Sequence, residues 1–464
     1  MGAGERANLA GVRPGQAIEF TDYHTAGEPF RIIGAVPAAL VKANQLSPDP
    51  SAGLPTPPGR NVLERRTWIR QHCDGVRRLL VNEPRGHADM YGGWVVPSDG
   101  PDSSGADAVF GVVFFHKDGY STACGHGSIA LGTWALETGL VSPPSPPPDA
   151  TGCAATPDAV PPAGAEDPPD HARPPGAPDR AGCAATPDAV PPAVEVPFAL
   201  DVPSGRVHLT GRIVDGLVAS VRFRNVPSWV AARGVRVATR LGPVLADISY
   251  GGAFYASVRA SDLGLTVAPR DLDQLIAVGR EIKWALDTHP AVAHPADVRL
   301  SGCYGTIWWE PAEPSGAAQP APLPGSTGVV TGGAGAAPLG AIPPGLGSLQ
   351  AAAGIGGAAR LGQRNVTIFA DGEVDRSPCG SGTSARLALL AADGLVGEGR
   401  ELDHWSIIGT RFIGRVLGAG APVARDGELV PTVATEVEGR ASHTMTGAAI
   451  LAPNDEVGLG FQLR

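Results

Sequence analysis

The sequence predicts an α/β protein, more narrowly α+β, made of two related halves, and two observations carry that prediction. A thiol turn occurs twice, as Cys124-Gly125-His126-Gly127-Ser128 and as Cys379-Gly380-Ser381-Gly382-Thr383, and in each copy a Gly-Leu-Val begins fifteen positions after the cysteine, at Gly139 and at Gly394. The surroundings repeat as well: an apolar run of strand length, a polar turn, the cysteine, then a helical recurrence closed by glycine.

Taken in order, Ala108 to Phe115 is an apolar stretch that reads as a strand, and Lys117-Asp118-Gly119 is a turn. After Cys124, the residues Ile129, Leu131, Trp134, Ala135 and Leu136 recur at helical spacing until Gly139, which suits a C-cap. In the second copy Asn365 to Phe369 is the strand and Asp371-Gly372 the turn; Ala385, Leu387, Leu389 and Leu390 follow Cys379 as the helix before Gly394. Trp308 and Trp309 read as the end of a further strand. Both thiols therefore sit at strand-to-helix turns. Helix starts present free N–H groups and a positive dipole end, which predicts a lowered thiol pKa and donors for a carboxylate. Two such ends facing each other could hold an amino-acid carboxylate between them, with one sulfur on each face of Cα.

The chain resembles the proline racemase family, which includes proline racemases, hydroxyproline 2-epimerases and trans-3-hydroxy-L-proline dehydratases. The likeness is carried by Asp22 to Pro29, by Glu83 to Gly92, by the Cys124 turn, by Asp247 to Tyr255 and by Asp375-Arg376-Ser377-Pro378-Cys379-Gly380-Ser381-Gly382. It extends from about Ile18 to Leu463 apart from two insertions. The resemblance implies that Cys124 and Cys379 are the two acid/base thiols. It further implies that Gly125 and His126 contact the substrate, that Asp375 meets its ring nitrogen, and that Gly380 and Ser381 form the second carboxylate-binding turn. The implied reaction needs no cofactor and no metal: one thiolate takes the Cα proton while the opposite thiol delivers one to the other face. Backbone donors at both helix starts would stabilise the carbanionic transition state.

Two branches of the family compete. The flanks of Cys124, Gly119 to Ala123 and Ile129 to Gly132, are similar to the dehydratase branch, whereas that branch has a threonine where this chain has Cys379. Elimination of water needs one base, and a racemase or epimerase needs two thiols. The residue at 379 outweighs the flanks, so the reading is a racemase or 2-epimerase of proline or hydroxyproline. The alternatives are a trans-3-hydroxy-L-proline dehydratase and a catalytically silent member that binds an imino acid or a partner. Diaminopimelate epimerase itself fits less well, because its first turn carries Asn at the position of His126.

The fold implied by the resemblance is diaminopimelate-epimerase-like: two pseudo-symmetric domains, each a curved, mostly antiparallel sheet around a central helix, with the site between them. The first would span 18–192 and the second 193–440, with strands in 441–464 returning to the first.

Composition sets the outer limits. The chain has 464 residues, long enough for two cores, and its 63 glycines and 46 prolines concentrate in two stretches. Residues 142–194 are Pro/Ala-rich with a direct repeat, Gly152 to Ala163 recurring at Gly182 to Ala193, and residues 314–359 contain no charged and no aromatic side chain. Both read as disordered or loosely held insertions. The formal net charge is −10. With no basic patch, no polybasic run, no apolar signal core and no spanning apolar run, nucleic-acid and membrane partners are not expected, and the cytosol is the default location. The expected partner is a small-molecule substrate, and a homodimer stays open.

The remaining candidates also fit blander roles. Cys153 and Cys183 fall in the repeat and read as duplicated sequence; Cys73 and Cys303 read as small buried residues. Cys-Gly-His is not a zinc spacing, and neither turn has the phosphate-binding lysine of a P-loop. Asp375 could simply cap the turn before Cys379, Phe369 could be core rather than a wall of the site, and Arg85, His87 and Asp89 read equally well as a structural network.

Overall fold

The computed structural model describes residues 11–34, 54–143, 193–313 and 360–463. The two stretches read as insertions lie outside the described residues except at their margins, as do Cys153 and Cys183. At one margin Val194 is already in a strand, so the first insertion ends before it.

The first half runs β1 (Ala17–Thr25), β2 (Glu28–Ile33), α1 (Val62–His72), α2 (Asp74–Val81), β3 (Tyr91–Val96), β4 (Phe110–His116), β5 (Gly119–Tyr120), α3 (Gly125–Glu137), β6 (Val194–Val202), β7 (Gly205–Val214) and β8 (Leu217–Arg224). The second runs β9 (Trp229–Thr239), β10 (Gly242–Tyr250), β11 (Phe254–Arg259), α4 (Leu272–Leu286), β12 (Cys303–Pro311), β13 (Arg360–Phe369), β14 (Glu373–Asp375), α5 (Gly380–Ala392), β15 (Glu401–Ser406) and β16 (Arg411–Ala419). A small hairpin of β17 (Val423–Arg425) and β18 (Glu428–Val430) precedes β19 (Val433–Gly439) and β20 (Ala441–Ile450).

The duplication expected from the two thiol turns extends through the pairing scheme. β2 runs parallel to β3 and β11 to β12, each across a helical crossover. β3 and β4, like β12 and β13, are antiparallel. β4 then runs parallel to β6 and β13 to β15, each with a thiol turn and helix between them. The remaining strands β6, β7 and β8 match β15, β16 and β19 in antiparallel order. β8 and β19 pair with each other, Phe223 opposite Val437, and so join the two halves. Finally β20 lies on β1 as β9 lies on β10.

The central helices explain why the sheets close around them. Every residue from Gly125 to Ala135 in α3 and from Gly380 to Leu390 in α5 is buried. A helix without a polar face must be covered on all sides. The core around α3 joins Ile129, Leu131 and Trp134 to Phe30 and Phe114, but also to Leu200, Leu209, Val221 and Phe223. Strands β6 to β8, assigned from sequence to 193–440, thus pack in the first core, and the boundary expected at 192/193 moves to the segment after Arg224. Sequence periodicity carries no signal for which helix a strand wraps.

Candidate active site between two helix starts

The two central helices meet at their first residues. A Cβ built on Gly125 would lie 2.4 Å from the Cα of Gly380, and one on Gly380 would lie 2.6 Å from the Cα of Gly125. Only glycine permits this approach, and it brings the free N–H groups of both helices to one place.

Beside this contact is a narrow, largely closed cleft lined by Tyr91, Ala123, Cys124, Gly125, His126, Tyr255, Tyr304, Phe369, Asp375, Cys379 and Ser381. The structure thus brings together six of the seven candidates, Cys124, Cys379, Gly125, His126, Asp375 and Ser381. The seventh, Gly380, supplies the contact at the helix starts. Phe369, left open as core or wall, is on the lining.

Cys124 is the N-cap of α3, and its Sγ accepts the Gly127 N–H at 3.2 Å and lies 3.5 Å from the His126 ring. The Thr25 hydroxyl donates to the His126 carbonyl at 2.8 Å and anchors this turn to β1. Cys379 is the N-cap of α5, with φ at +61°, and its N–H donates to Ser377 Oγ at 3.1 Å. Its sulfur lies 3.8 Å from the Tyr255 hydroxyl, which in turn is 2.7 Å from Ser381 Oγ.

Asp375 caps the turn before Cys379 and also faces the cleft. Its Oδ1 accepts from Ser377 N–H at 2.9 Å and Ser377 Oγ–H at 2.7 Å, capping the turn, while Oδ2 faces the His126 ring at 3.8 Å. Burial raises its pKa to about 6, against the opposing bonds from Ser377. His126 goes the other way, down to about 3, because burial disfavours the imidazolium and Arg376 repels it. The ring is therefore neutral.

The lowered thiol pKa expected from the helix starts is not found. Both thiols are 5% exposed, and burial pushes both well above the ordinary value, with Asp375 adding to the rise. The Gly127 N–H acts in the predicted direction on Cys124 but is outweighed by desolvation. Nothing in the sequence alone reports that closure of the cleft.

Three tyrosines were missed. Tyr91 and Tyr304 hold equivalent positions, each just before a glycine at the start of a matched strand, and their hydroxyls meet at 3.0 Å. The Tyr91 hydroxyl also bonds Ser121 Oγ. The repeated Tyr-Gly dipeptide, Tyr91-Gly92 and Tyr304-Gly305, was the available signal. Of the network left outside the site, Arg85 pairs with Asp455 at 3.2 Å and Asp89 with Arg376 at 3.5 Å.

Among the described residues one other set has the makings of a metal centre: His116, Asp118 and Glu373, with ligand atoms within 4.8 Å of one another. Lys117 Nζ already lies 2.9 and 3.1 Å from the two Asp118 oxygens and supplies the positive charge there. No helix among the described residues is long and apolar enough to cross a membrane.

A doubled sheet-wrapped helix with a buried thiol at each helix start defines a two-thiol α/β architecture with its cleft between the halves. The chain belongs to the proline racemase family, whose model matches residues 50–152, 186–322 and 350–462. A trans-3-hydroxy-L-proline dehydratase of Azospirillum brasilense is 32% identical over 452 residues, 97% of this chain and 99% of that protein. A 3-hydroxyproline 2-epimerase of Burkholderia multivorans is likewise 32% identical, over 451 residues, 97% of this chain and 99% of its own length. In fold, the chain resembles a hydroxyproline epimerase from Agrobacterium vitis with trans-4-hydroxy-L-proline bound; the TM-score is 0.65 at 23% identity, covering 97% of this chain and 96% of the other.

Proposed function

We propose that this protein is a cofactor-independent 2-epimerase, or racemase, of hydroxyproline or proline. The observation that carries this reading is the pair of buried thiols, Cys124 and Cys379, at two helix starts that touch through Gly125 and Gly380. The substrate carboxylate sits against the N–H groups of the two turns, and the Asp375 carboxylate receives the ring ammonium. One sulfur, as thiolate, takes the Cα proton, and the Cα–H electrons delocalise into the carboxylate. The opposite S–H then gives its proton to the other face of Cα, leaving that sulfur as the thiolate for the reverse reaction. A thiol with a raised pKa is a stronger base once ionised, which suits abstraction of a weakly acidic Cα proton.

A second reading, dehydration of trans-3-hydroxy-L-proline, is supported by relatives bearing that name and by the flanks of Cys124. Here one thiolate takes the Cα proton, the electrons of that bond form the Cα–C3 double bond as the C3–O bond breaks, and the 3-hydroxyl leaves as water on taking up the proton the sulfur carries. Incubation with L-proline, trans-4-hydroxy-L-proline and trans-3-hydroxy-L-proline in deuterated water, followed by NMR, separates the two. Epimer with deuterium at Cα is expected; pyrroline-2-carboxylate without any epimer would establish the second reading instead.

A further inference from the structure

Two segments that carry the family likeness, Asp22 to Pro29 and Glu83 to Gly92, contribute only Tyr91 to the lining of the cleft. Two of their acidic residues, Glu28 and Asp89, meet the other half at one point. Glu28, fully buried at the start of β2, accepts through one oxygen both the Arg376 backbone N–H at 2.8 Å and the Arg376 Nε–H at 2.7 Å. Asp89, just before β3, accepts the Val374 N–H at 3.1 Å, and its backbone carbonyl and second oxygen take the Arg376 guanidinium at 3.2 and 3.5 Å. The N–H groups on either side of Asp375 are thus each held by a carboxylate of the opposite half.

From this geometry we infer that Glu28, Asp89 and Arg376 are positioning residues, which grip the chain on both sides of Asp375 and fix its carboxylate against the Cys124 turn across the cleft. Stability alone is a poor reason for such a network, since a buried ion pair seldom gains more than its desolvation costs. Its grip on the backbone N–H groups of the residues before and after one carboxylate is, by contrast, a good way to fix that carboxylate within a fraction of an ångström. Asp375 is faced by Arg376 and Glu28, by His126 and Cys124 of the α3 turn, and by Cys379. Among these, Arg376 is the charge that favours its ionised form.

The inference rests on the proposed chemistry, and the experiment keeps the two apart. Wild type, Glu28→Gln, Asp89→Asn, Arg376→Lys and Arg376→Met are compared for kcat and KM across pH, with melting temperature measured in parallel. Glu28→Gln, Asp89→Asn and Arg376→Met are each expected to lower kcat/KM about tenfold, an effect of about 1.4 kcal/mol. Arg376→Met should also move the acid limb of kcat/KM to higher pH, because losing the guanidinium makes Asp375 harder to ionise; Arg376→Lys should restore the limb while recovering only part of the rate. Folded variants with lower melting temperatures but unchanged KM and an unmoved limb would overturn the positioning role, as would no change at all. Asp89→Asn keeps shape and acceptor, so it tests the idea even if a bulkier change fails to fold. If wild type neither converts any of the three imino acids nor exchanges their Cα proton, the proposed chemistry fails, whatever the variants do.

Discussion

The two thiol turns share a frame and differ in what surrounds the sulfur. Each follows a strand and a hairpin turn, starts a helix of thirteen residues and ends at a glycine of positive φ, 72° at Gly139 and 69° at Gly394. Yet Cys124 is extended, with φ at −151°, and its sulfur caps its own helix. Cys379 has φ at +61° and makes no side-chain cap. A non-glycine residue in that region costs about 1–3 kcal/mol and persists only where its neighbours enforce it. Here the neighbours are the Ser377 hydroxyl on its N–H and, behind that, Asp375 on Ser377. The position after the shared glycine differs too, His126 in one turn and Ser381 in the other. On the proposed function, the backbone donors common to both turns serve a symmetric carboxylate, while the side chains differ as the two Cα faces of the substrate do.

The strongest way to break this comparison is to remove either sulfur. Cys124→Ser and Cys379→Ser are each expected to reduce epimerisation by about 10³-fold or more, since a hydroxyl is far too weak an acid and base for either step. Each variant can still exchange the Cα proton of one enantiomer at most, and NMR in deuterated water will show which enantiomer belongs to which sulfur. Full turnover by either variant would remove the two-thiol mechanism. Cys379→Thr sharpens the contrast: it should lose epimerisation equally and leave only elimination from a 3-hydroxylated ring.

Asp375 belongs to the second turn alone, and Asp375→Asn should lower kcat/KM by about 10²-fold through loss of the charge partner for the ring ammonium. Its pKa of about 6 sets the sign of the pH dependence. Activity should fall as pH drops through about 6, and the variant should lack that limb. The stability effect is opposite in sense. The folded pKa lies above the ordinary value of about 3.9, so the group costs stability that appears as pH rises from about 4 to about 6 and persists above. The variant should therefore melt higher than wild type at pH 8, measured by calorimetry.

Much of this was legible in the sequence because it is local. The strand before each thiol, the helix after it and the glycine that ends it all follow from spacing, and Cys124, His126, Asp375 and Ser381 do line one cleft. What escaped depends on long-range placement. That Val194 to Arg224 wraps α3 is decided by parallel pairing of Phe110 with Leu200, which no periodicity encodes. The raised thiol pKa follows from burial by both halves together. Tyr304 reaches Tyr91 across the pseudo-symmetric contact, although the two lie 213 positions apart in the chain.

The glycines separate what the halves share from what each needs for itself. Gly125→Ala would place a methyl carbon 2.4 Å from the Gly380 Cα and 2.6 Å from the Ser381 N, backbone atoms that cannot turn aside. The helix starts must part, at a cost of about 1–3 kcal/mol, and a roughly tenfold fall in kcat should accompany the lower melting temperature. Gly380→Ala should behave alike, because the contact is mutual.

At the far ends of the same helices the expected effect is smallest and confined to stability. Gly394 has φ at 69° and no atom within 4 Å of a Cβ built on it, so Gly394→Ala meets conformational strain without a clash. That strain is about 1–2 kcal/mol, and in a chain of 464 residues each kcal/mol lowers the melting temperature by about 2 °C or less. Gly139→Ala, at φ 72° in the equivalent place, meets the same backbone strain. Neither should change kcat or KM, since α3 and α5 present their first turns, not their last, to the cleft. A fall in kcat from either substitution, measured well below the melting transition, would mean that the helices transmit displacement along their length and that the two thiol turns are not held by their own contacts alone.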